Sequence, residues 1–314
     1  MSLKSRTNSL KIPLLFLALT ILVVACKKEE KPPELGVYAT PDVAAQALDT
    51  AVKAQDINAL VGIFGPDSKQ LILSGDEVQD KNNASEFAAR YDVMHRWRKM
   101  PDDSQMLIVG ADNFPFPIPL KKNPSGQWYF DTAAGRQEVL NRRIGRNELA
   151  IIDVCGAITE AQGDYYNQPH DGEKAKQFAV KFVSDPGKQN GLFWPAAQGQ
   201  PQSPLGPLAA NATSEGYTAK PEGHTAFHGY YFKMLDGQTA NAPNGARNYI
   251  VNGKMTTGFA VVAYPAEYGN SGIMTFIINQ DGILLQKDLG KTTTQIASAM
   301  TQFDPDPTWT IVQP

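Results

Sequence analysis

The densest cluster of polar and aromatic side chains is Tyr264-Pro265-Ala266-Glu267-Tyr268-Gly269-Asn270-Ser271-Gly272. Glu267 offers a carboxylate for proton transfer or ligand binding, and Tyr268 and Asn270 offer groups that would position a bound molecule. General acid–base work usually needs a second positioned group. Asp281, Lys287 and Asp288 are candidates by sheet proximity alone. The same residues also read as a turn between two strands, with Gly269 and Gly272 supplying backbone freedom. The turn is the preferred reading, with Glu267, Tyr268 and Asn270 kept as the candidate ligand-binding set.

Other constellations are weaker. His224 and His228 are four residues apart with Glu222 nearby, a spacing that puts two metal ligands on one face of a helix. The adjacent Gly223 and Gly229 argue instead for a loop leading into a strand, so no metal site is expected. Cys155 shares a helical face with Ile151, Ile152 and Ile158, where a thiol acts as a small buried hydrophobe. Arg142, Arg143 and Arg146 cluster along the same helix. They suit an anion, but a solvated face or pairing with the acidic excess is the simpler reading. Gly269-Asn270-Ser271-Gly272-Ile273 misses the nucleophile elbow at its fifth position. Gly290-Lys291-Thr292 lacks the upstream glycine of a phosphate loop, and Leu285 stands there. No catalytic residue, metal or cofactor is assigned.

The composition bounds the rest. In 314 residues there are 29 Lys and Arg against 32 Asp and Glu, and two cysteines. Two cysteines are too few for a disulfide scaffold or a multi-cysteine zinc module. The slightly acidic balance argues against nucleic acid as the main partner. The length suggests about two domains.

The N-terminus carries an address. Lys4, Arg6 and Lys11 precede a 14-residue, mainly apolar run from Ile12 to Ala25. A helix spanning a bilayer needs ~20 residues, so the run fits the apolar core of an export signal. It ends in Leu22-Val23-Val24-Ala25-Cys26, which resembles a bacterial lipobox. That resemblance implies a diacylglyceryl group on the Cys26 thiol, cleavage before Cys26 and acylation of the new amine. Several acyl chains anchor stably where one does not. Lys27 after the cysteine resembles the outer-membrane sorting class of a Gram-negative cell. Loss of residues 1–25, with three basic and no acidic side chains, takes the formal charge from −3 to −6. Residues 26–39, charged and Pro-containing at their start, read as a tether.

The elements that position the candidates follow from patterning. Thr40-Pro41-Asp42 starts a helix, with Thr40 as its cap and proline at the first position. Asp56 caps a second helix that ends at Gly65-Pro66-Asp67. Ser85 is read as the cap of a third, carrying Phe87, Tyr91, Met94 and Trp97 or Arg98. Met106–Val109, Phe114–Leu120 and Gln127–Phe130 read as strands, the second an edge or extended loop because alternating prolines cannot donate to a ladder. Residues 135–161 show a long helical period, and Lys174–Val183 reads as a short helix. Asp185–Gly223 is a long Pro- and Gly-rich loop, expected to be functional, partly ordered by its aromatics, or mobile. Five strand candidates follow between Gly229 and Gln286, with a hairpin turn at Asn279–Gly282. A closing helix spans Thr292–Phe303.

The expected fold class is α+β. Residues 40–135, helices followed by a short sheet, resemble the cone-shaped nuclear-transport-factor-2-like domains. Residues 136–314 form the second expected domain, and its part 136–290 is similar to the globular part of type IV pilin-like proteins. Pilins assemble through an apolar N-terminal helix bearing a glutamate. Here that helix is internal and amphipathic.

A broader resemblance covers nearly all of the chain after the signal. Phe114-Pro115-Phe116-Pro117-Ile118-Pro119-Leu120, Phe130-Asp131-Thr132-Ala133-Ala134-Gly135 and Arg142-Arg143-Ile144-Gly145-Arg146-Asn147-Glu148 carry it. His228-Gly229-Tyr230-Tyr231-Phe232, Gly258 to Gly272 and Asn279-Gln280-Asp281-Gly282 carry it further. These segments resemble the bacterial family known as domain of unknown function 2950. The resemblance implies an exported envelope protein and transfers no reaction, cofactor or catalytic residue. The expectation is a lipid-anchored envelope protein, facing the periplasm from the outer membrane, that acts as a non-catalytic binding or assembly module with an envelope protein as its possible partner. The alternatives are a hydrolase of an envelope polymer, with Glu267 as its acid, and a pilin-like structural subunit.

Overall fold

The computed structural model describes residues 35–196, 199, 201–218 and 225–313. Cys26, the export signal, most of the tether, and Glu222, Gly223 and His224 lie outside the described residues.

Helix α1 (Pro41–Lys53) starts where its cap requires: the Thr40 hydroxyl accepts the Val43 N–H at 3.3 Å. Helix α2 (Ile57–Phe64) is capped by Asp56, which accepts the Ala59 N–H at 2.9 Å. A single helical turn, α3 (Lys69–Ile72), follows. Helix α4 (Glu77–Val93) departs from expectation at both ends. Its cap is Asp76, which accepts the Gln79 N–H at 3.0 Å, and Glu77 and Asp80 favour the helix dipole in the first turn. Ser85 is internal to the helix and donates back to the Lys81 carbonyl at 3.0 Å. At the other end, Met94 turns extended, so Trp97 and Arg98 belong to strand β1 (His95–Lys99) instead.

Strands β2 (Gln105–Val109), β3 (Phe114–Pro115), β4 (Leu120–Lys122) and β5 (Trp128–Phe130) complete the first sheet. Its order is β1-β2-β4-β5, antiparallel, with β3 beside β2. The proline-rich run pairs only at its two ends, because its prolines lack the N–H a ladder needs. Leu48, Leu107, Leu120 and Phe130 form the centre of the first core.

Helix α5 (Thr132–Tyr166) runs for 35 residues. Asp131 caps it, accepting the Ala134 N–H at 3.1 Å. Val139 near its start packs on the first core, while Ile151, Val154, Cys155 and Ile158 enter the second. One helix therefore supports both halves.

Residues 174–183 form no helix. The Phe178 N–H donates to the Met255 carbonyl at 2.7 Å, and the Gln162 side-chain amide clamps the Ala179 backbone with two 2.9 Å hydrogen bonds. These partners satisfy the backbone in place of a helical ladder. The long loop contains helix α6 (Gly206–Glu215).

The last third is sheet, as its sequence pattern indicates. Strand β6 (Tyr230–Leu235) leads to four two-residue strands: β7 (Gly237–Gln238), β8 (Arg247–Asn248), β9 (Ile250–Val251) and β10 (Lys254–Met255). Strands β11 (Ala260–Pro265), β12 (Met274–Asn279) and β13 (Leu285–Asp288) follow. Helix α7 (Thr293–Ala299) is shorter than expected, since the chain leaves it for β14 (Gln302–Phe303), which pairs parallel with β7. With β15 (Thr310–Ile311), the main sheet has the antiparallel order β15-β13-β12-β11-β6. Both α5 and α7 pack on β11, and all its residues are buried. That is why it reads as an unbroken apolar run. At the expected hairpin, the Gly282 N–H donates to the Asn279 carbonyl at 3.0 Å, with Gly282 at φ 75°.

The chain is thus a mixed α+β protein with antiparallel main sheets. Among the described residues, no helix is long and apolar enough to cross a membrane.

Candidate functional site

Two features stand out, a cavity in the first half and a polar seam between the halves. The cavity measures about 760 Å³ and is lined by α1, α2, α3, α4, α5 and the first sheet. That volume lies within the range of small-molecule sites. Its apolar wall includes Leu48, Val52, Leu60, Phe64, Phe87 and Phe116. The rings of Phe87 and Phe116 meet edge to face with centroids 5.4 Å apart. This geometry favours aromatic pairs over a direct sandwich.

The polar lining comes mostly from α4 and α5, which carry cations on facing surfaces. Arg90 pairs with Glu86 at 2.8 Å and Asp112 at 3.0 Å. Arg142 pairs with Glu138 at 2.6 Å and donates to the Pro115 carbonyl at 2.7 Å. Their guanidinium carbons lie 4.7 and 5.1 Å from the Phe114 ring centroid. Arg146 donates to the Asn83 side-chain carbonyl at 2.9 Å, bridging α5 to α4.

Arg143 corrects the expectation of a solvated helix face. It is 7% exposed and donates to the Gln70 and Leu71 carbonyls and to Asn270 Oδ1. Burial pushes its pKa down, opposed by the nearby carboxylates of Asp80 and Glu267. One turn further along α5, Asn147 donates to the Ser271 carbonyl at 2.9 Å. Next to it, Glu148 accepts the Ile273 and Met274 N–H groups, each at 2.9 Å. Helical spacing puts Arg143 and Asn147 on one face, and that face grips the turn between β11 and β12.

The expected ligand-binding residues sit in this seam. Asn270 Nδ2 donates to the Leu73 carbonyl at 3.2 Å and to Glu267 Oε2 at 2.8 Å. Tyr268 points elsewhere, its hydroxyl donating to Asp288 at 3.2 Å. The Glu267 N–H donates to the Ser271 hydroxyl at 2.9 Å, closing the turn with Gly269 at φ 76°. Glu267, Tyr268 and Asn270 line neither of the two main cavities.

A second clasp crosses the seam at Asp76. Besides capping α4, its carboxylate accepts the Tyr217 hydroxyl at 2.7 Å and the Gly229 N–H at 3.0 Å. Burial and then the Asp76 carboxylate push the Tyr217 pKa up.

The family model described as "Protein of unknown function (DUF2950)" matches residues 36–312, which span both halves and the seam. The chain belongs to this family. No curated protein and no solved structure matches it.

In this DUF2950 chain, His228 lies at φ 49° with its Nε2 3.4 Å from Glu215 Oε2. No cluster of three or more metal-capable side chains occurs among the described residues. Cys155 is 1% exposed, and burial pushes its thiol up to about 12. A second cavity, of about 470 Å³, is lined by His170, Trp194 and Ser203 in and beside the long loop.

Sequence reasoning missed Asp76, Asn147, Glu148 and Tyr217 as a set. Asp76 alone carried a local signal, being a cap residue before an acidic first turn. The others bond to groups remote in the chain, which no local pattern encodes.

Proposed function

We propose that this DUF2950 chain is a non-catalytic binding module of the bacterial envelope, anchored through a lipidated Cys26, whose cavity takes an apolar ligand. The observation that carries the reading is the 760 Å³ cavity, with its wall of aliphatic and aromatic side chains. Mostly apolar concave sites with a few placed polar groups are the usual form of ligand pockets. Four helices, one of them a single turn, before an antiparallel sheet support the cone-like reading of the first half. The long helix packed on an antiparallel sheet supports the pilin-like likeness of the second as a likeness of architecture. The lipobox supports the anchor and the outer-membrane, periplasm-facing location.

A hydrolase centred on Glu267 draws less support. Its carboxylate is tied to Asn270 in a turn outside both cavities.

The test uses N-phenyl-1-naphthylamine, a neutral apolar fluorophore, titrated into the purified folded protein. Saturable fluorescence enhancement is expected, and Ala84→Phe or Val139→Phe, which fill the cavity, should abolish it. Absence of saturable binding, or binding indifferent to both substitutions, would overturn the reading. Replacement of Cys26 by Ser should move the protein from the membrane fraction to the soluble one.

A further inference from the structure

We infer that the cavity takes an amphiphile with one apolar chain and an acidic head group, a carboxylate or a phosphate monoester, held at Arg146, with Lys81 as a second cation of the lining. The inference rests on the reading of the cavity as a ligand site and adds the chemistry of the head.

The cations of the cavity lining are unevenly partnered. Five cationic and three acidic side chains line the cavity of a chain whose net charge is −3. Three of the cations are already engaged. Arg90 is taken by Glu86 and Asp112, Arg142 by Glu138 and a backbone carbonyl, and Arg143 by the seam. Arg146 and Lys81 remain. Among the described residues neither is in an ion pair, and the hydrogen-bonded side chain opposite Arg146 is the neutral amide of Asn83.

The acids on the same rim do not cancel them. Glu86 is spent on Arg90. Asp80 accepts the Ser74 N–H at 2.9 Å and lies near Arg143. Glu77 is exposed in the first turn of α4, one turn before Lys81, and makes no ion pair with it. Among the described residues, neither Arg146 nor Lys81 is therefore in an ion pair with Glu77, Asp80 or Glu86.

Asn83 gives Arg146 a fixed place without neutralising it. A guanidinium has five N–H donors in a planar fork, and one engaged with an amide leaves others for a carboxylate or phosphate. Arg146 comes from α5 and Lys81 from α4, so the two cations approach from the helices that supply most of the polar lining. The aliphatic wall built from Leu48, Val52 and Leu60 belongs to α1 and α2. An acidic head at α4 and α5 with a chain directed to α1 and α2 matches this division.

The test compares three ligands with one tail: dodecanoate, dodecyl phosphate and dodecanol, each below its micelle-forming concentration. Affinities are read by displacement of N-phenyl-1-naphthylamine and by calorimetry on the folded protein. Dodecanoate or dodecyl phosphate should bind at least tenfold tighter than dodecanol, and the preferred one of the two identifies the head. Arg146→Gln should remove most of that preference, while Arg146→Lys should retain part of it. Lys81→Gln should reduce it less. Equal affinity for acid and alcohol, or a preference unaffected by Arg146→Gln, would overturn the inference while binding of the fluorophore upheld the cavity reading. Failure of the fluorophore and all three ligands to bind would overturn both.

Discussion

Arg143 and Asn270, 127 residues apart in the chain, are hydrogen-bonded to each other inside the protein. Arg143 belongs to the long helix and lines the cavity, whereas Asn270 belongs to the turn between β11 and β12. The same guanidinium holds two backbone carbonyls of α3. It therefore joins the cavity wall to the second sheet, and its loss should be felt in both halves.

Replacement of Arg143 by Ala leaves those carbonyls and Asn270 Oδ1 without their donor. Buried unsatisfied groups cost about 1–3 kcal/mol each and do not add simply, so a loss of about 3 kcal/mol is expected. Arg143→Lys keeps the charge but not the fork and should recover only part of it. Denaturant midpoints at constant slope would show this. An unchanged midpoint in Arg143→Ala would mean that the seam contributes little.

Asp76 and Tyr217 make a second test of the seam. Tyr217→Phe removes one hydrogen bond to a carboxylate and should cost about 1.5–3 kcal/mol. Asp76→Ala should cost more, because the Gln79 and Gly229 N–H groups lose their acceptor as well. A double-mutant cycle would give the coupling between the two side chains, and a coupling near zero would contradict the geometry.

Alkaline pH should weaken the fold. Burial pushes Cys155, Tyr165 and Tyr249 up to about 12 and raises Tyr217 and Tyr230 as well. A raised folded pKa means that the folded state holds its proton more tightly than the unfolded chain. This contribution is complete below the unfolded values, near 9 for the thiol and 10 for the phenols, and is lost as pH rises through the folded ones. Unfolding midpoints should be set by other groups at pH 7–9 and fall from pH 9 toward 12. In the same experiment, a thiol reagent at pH 8 should modify Cys155 only after denaturant is added, and rapid native labelling would contradict its burial.

Two glycines of α5 should respond in opposite directions to alanine. At Gly135 a Cβ would stand 2.7 Å from Ile118 Cα and 2.8 Å from the Pro117 carbonyl oxygen, both backbone atoms that cannot swing away. Gly135→Ala should therefore destabilise by about 1–3 kcal/mol through overpacking. At Gly145 nothing lies within 4 Å of an added Cβ. Gly145→Ala should stabilise by about 0.5–1 kcal/mol through helix propensity and a less flexible unfolded chain. Thermal melts of the two variants would separate the cases.

The chain's own pattern determined the elements that satisfy themselves locally. Thr40 and Asp56 cap helices within three residues, the Asn279–Gly282 turn needs only its own backbone, and α5 and β11 show their periodicity or apolar run directly. The family was legible in the motifs, and burial of Cys155 followed from its helical face. Tertiary structure decided what depends on remote partners. Residues 174–183 gave up a helix because Met255 and Gln162 satisfy their backbone. Ser85 lost the cap to Asp76, which also serves Tyr217 and Gly229. Arg143 left the solvated face because Leu71 and Asn270 meet it, while Arg146, three residues on, meets the amide of Asn83 at a cavity formed by elements distant in sequence. Local hydrogen bonds and periodicity act over a few residues and can be read along the chain. Burial of a charge, and the space left for a ligand, arise only when distant segments meet.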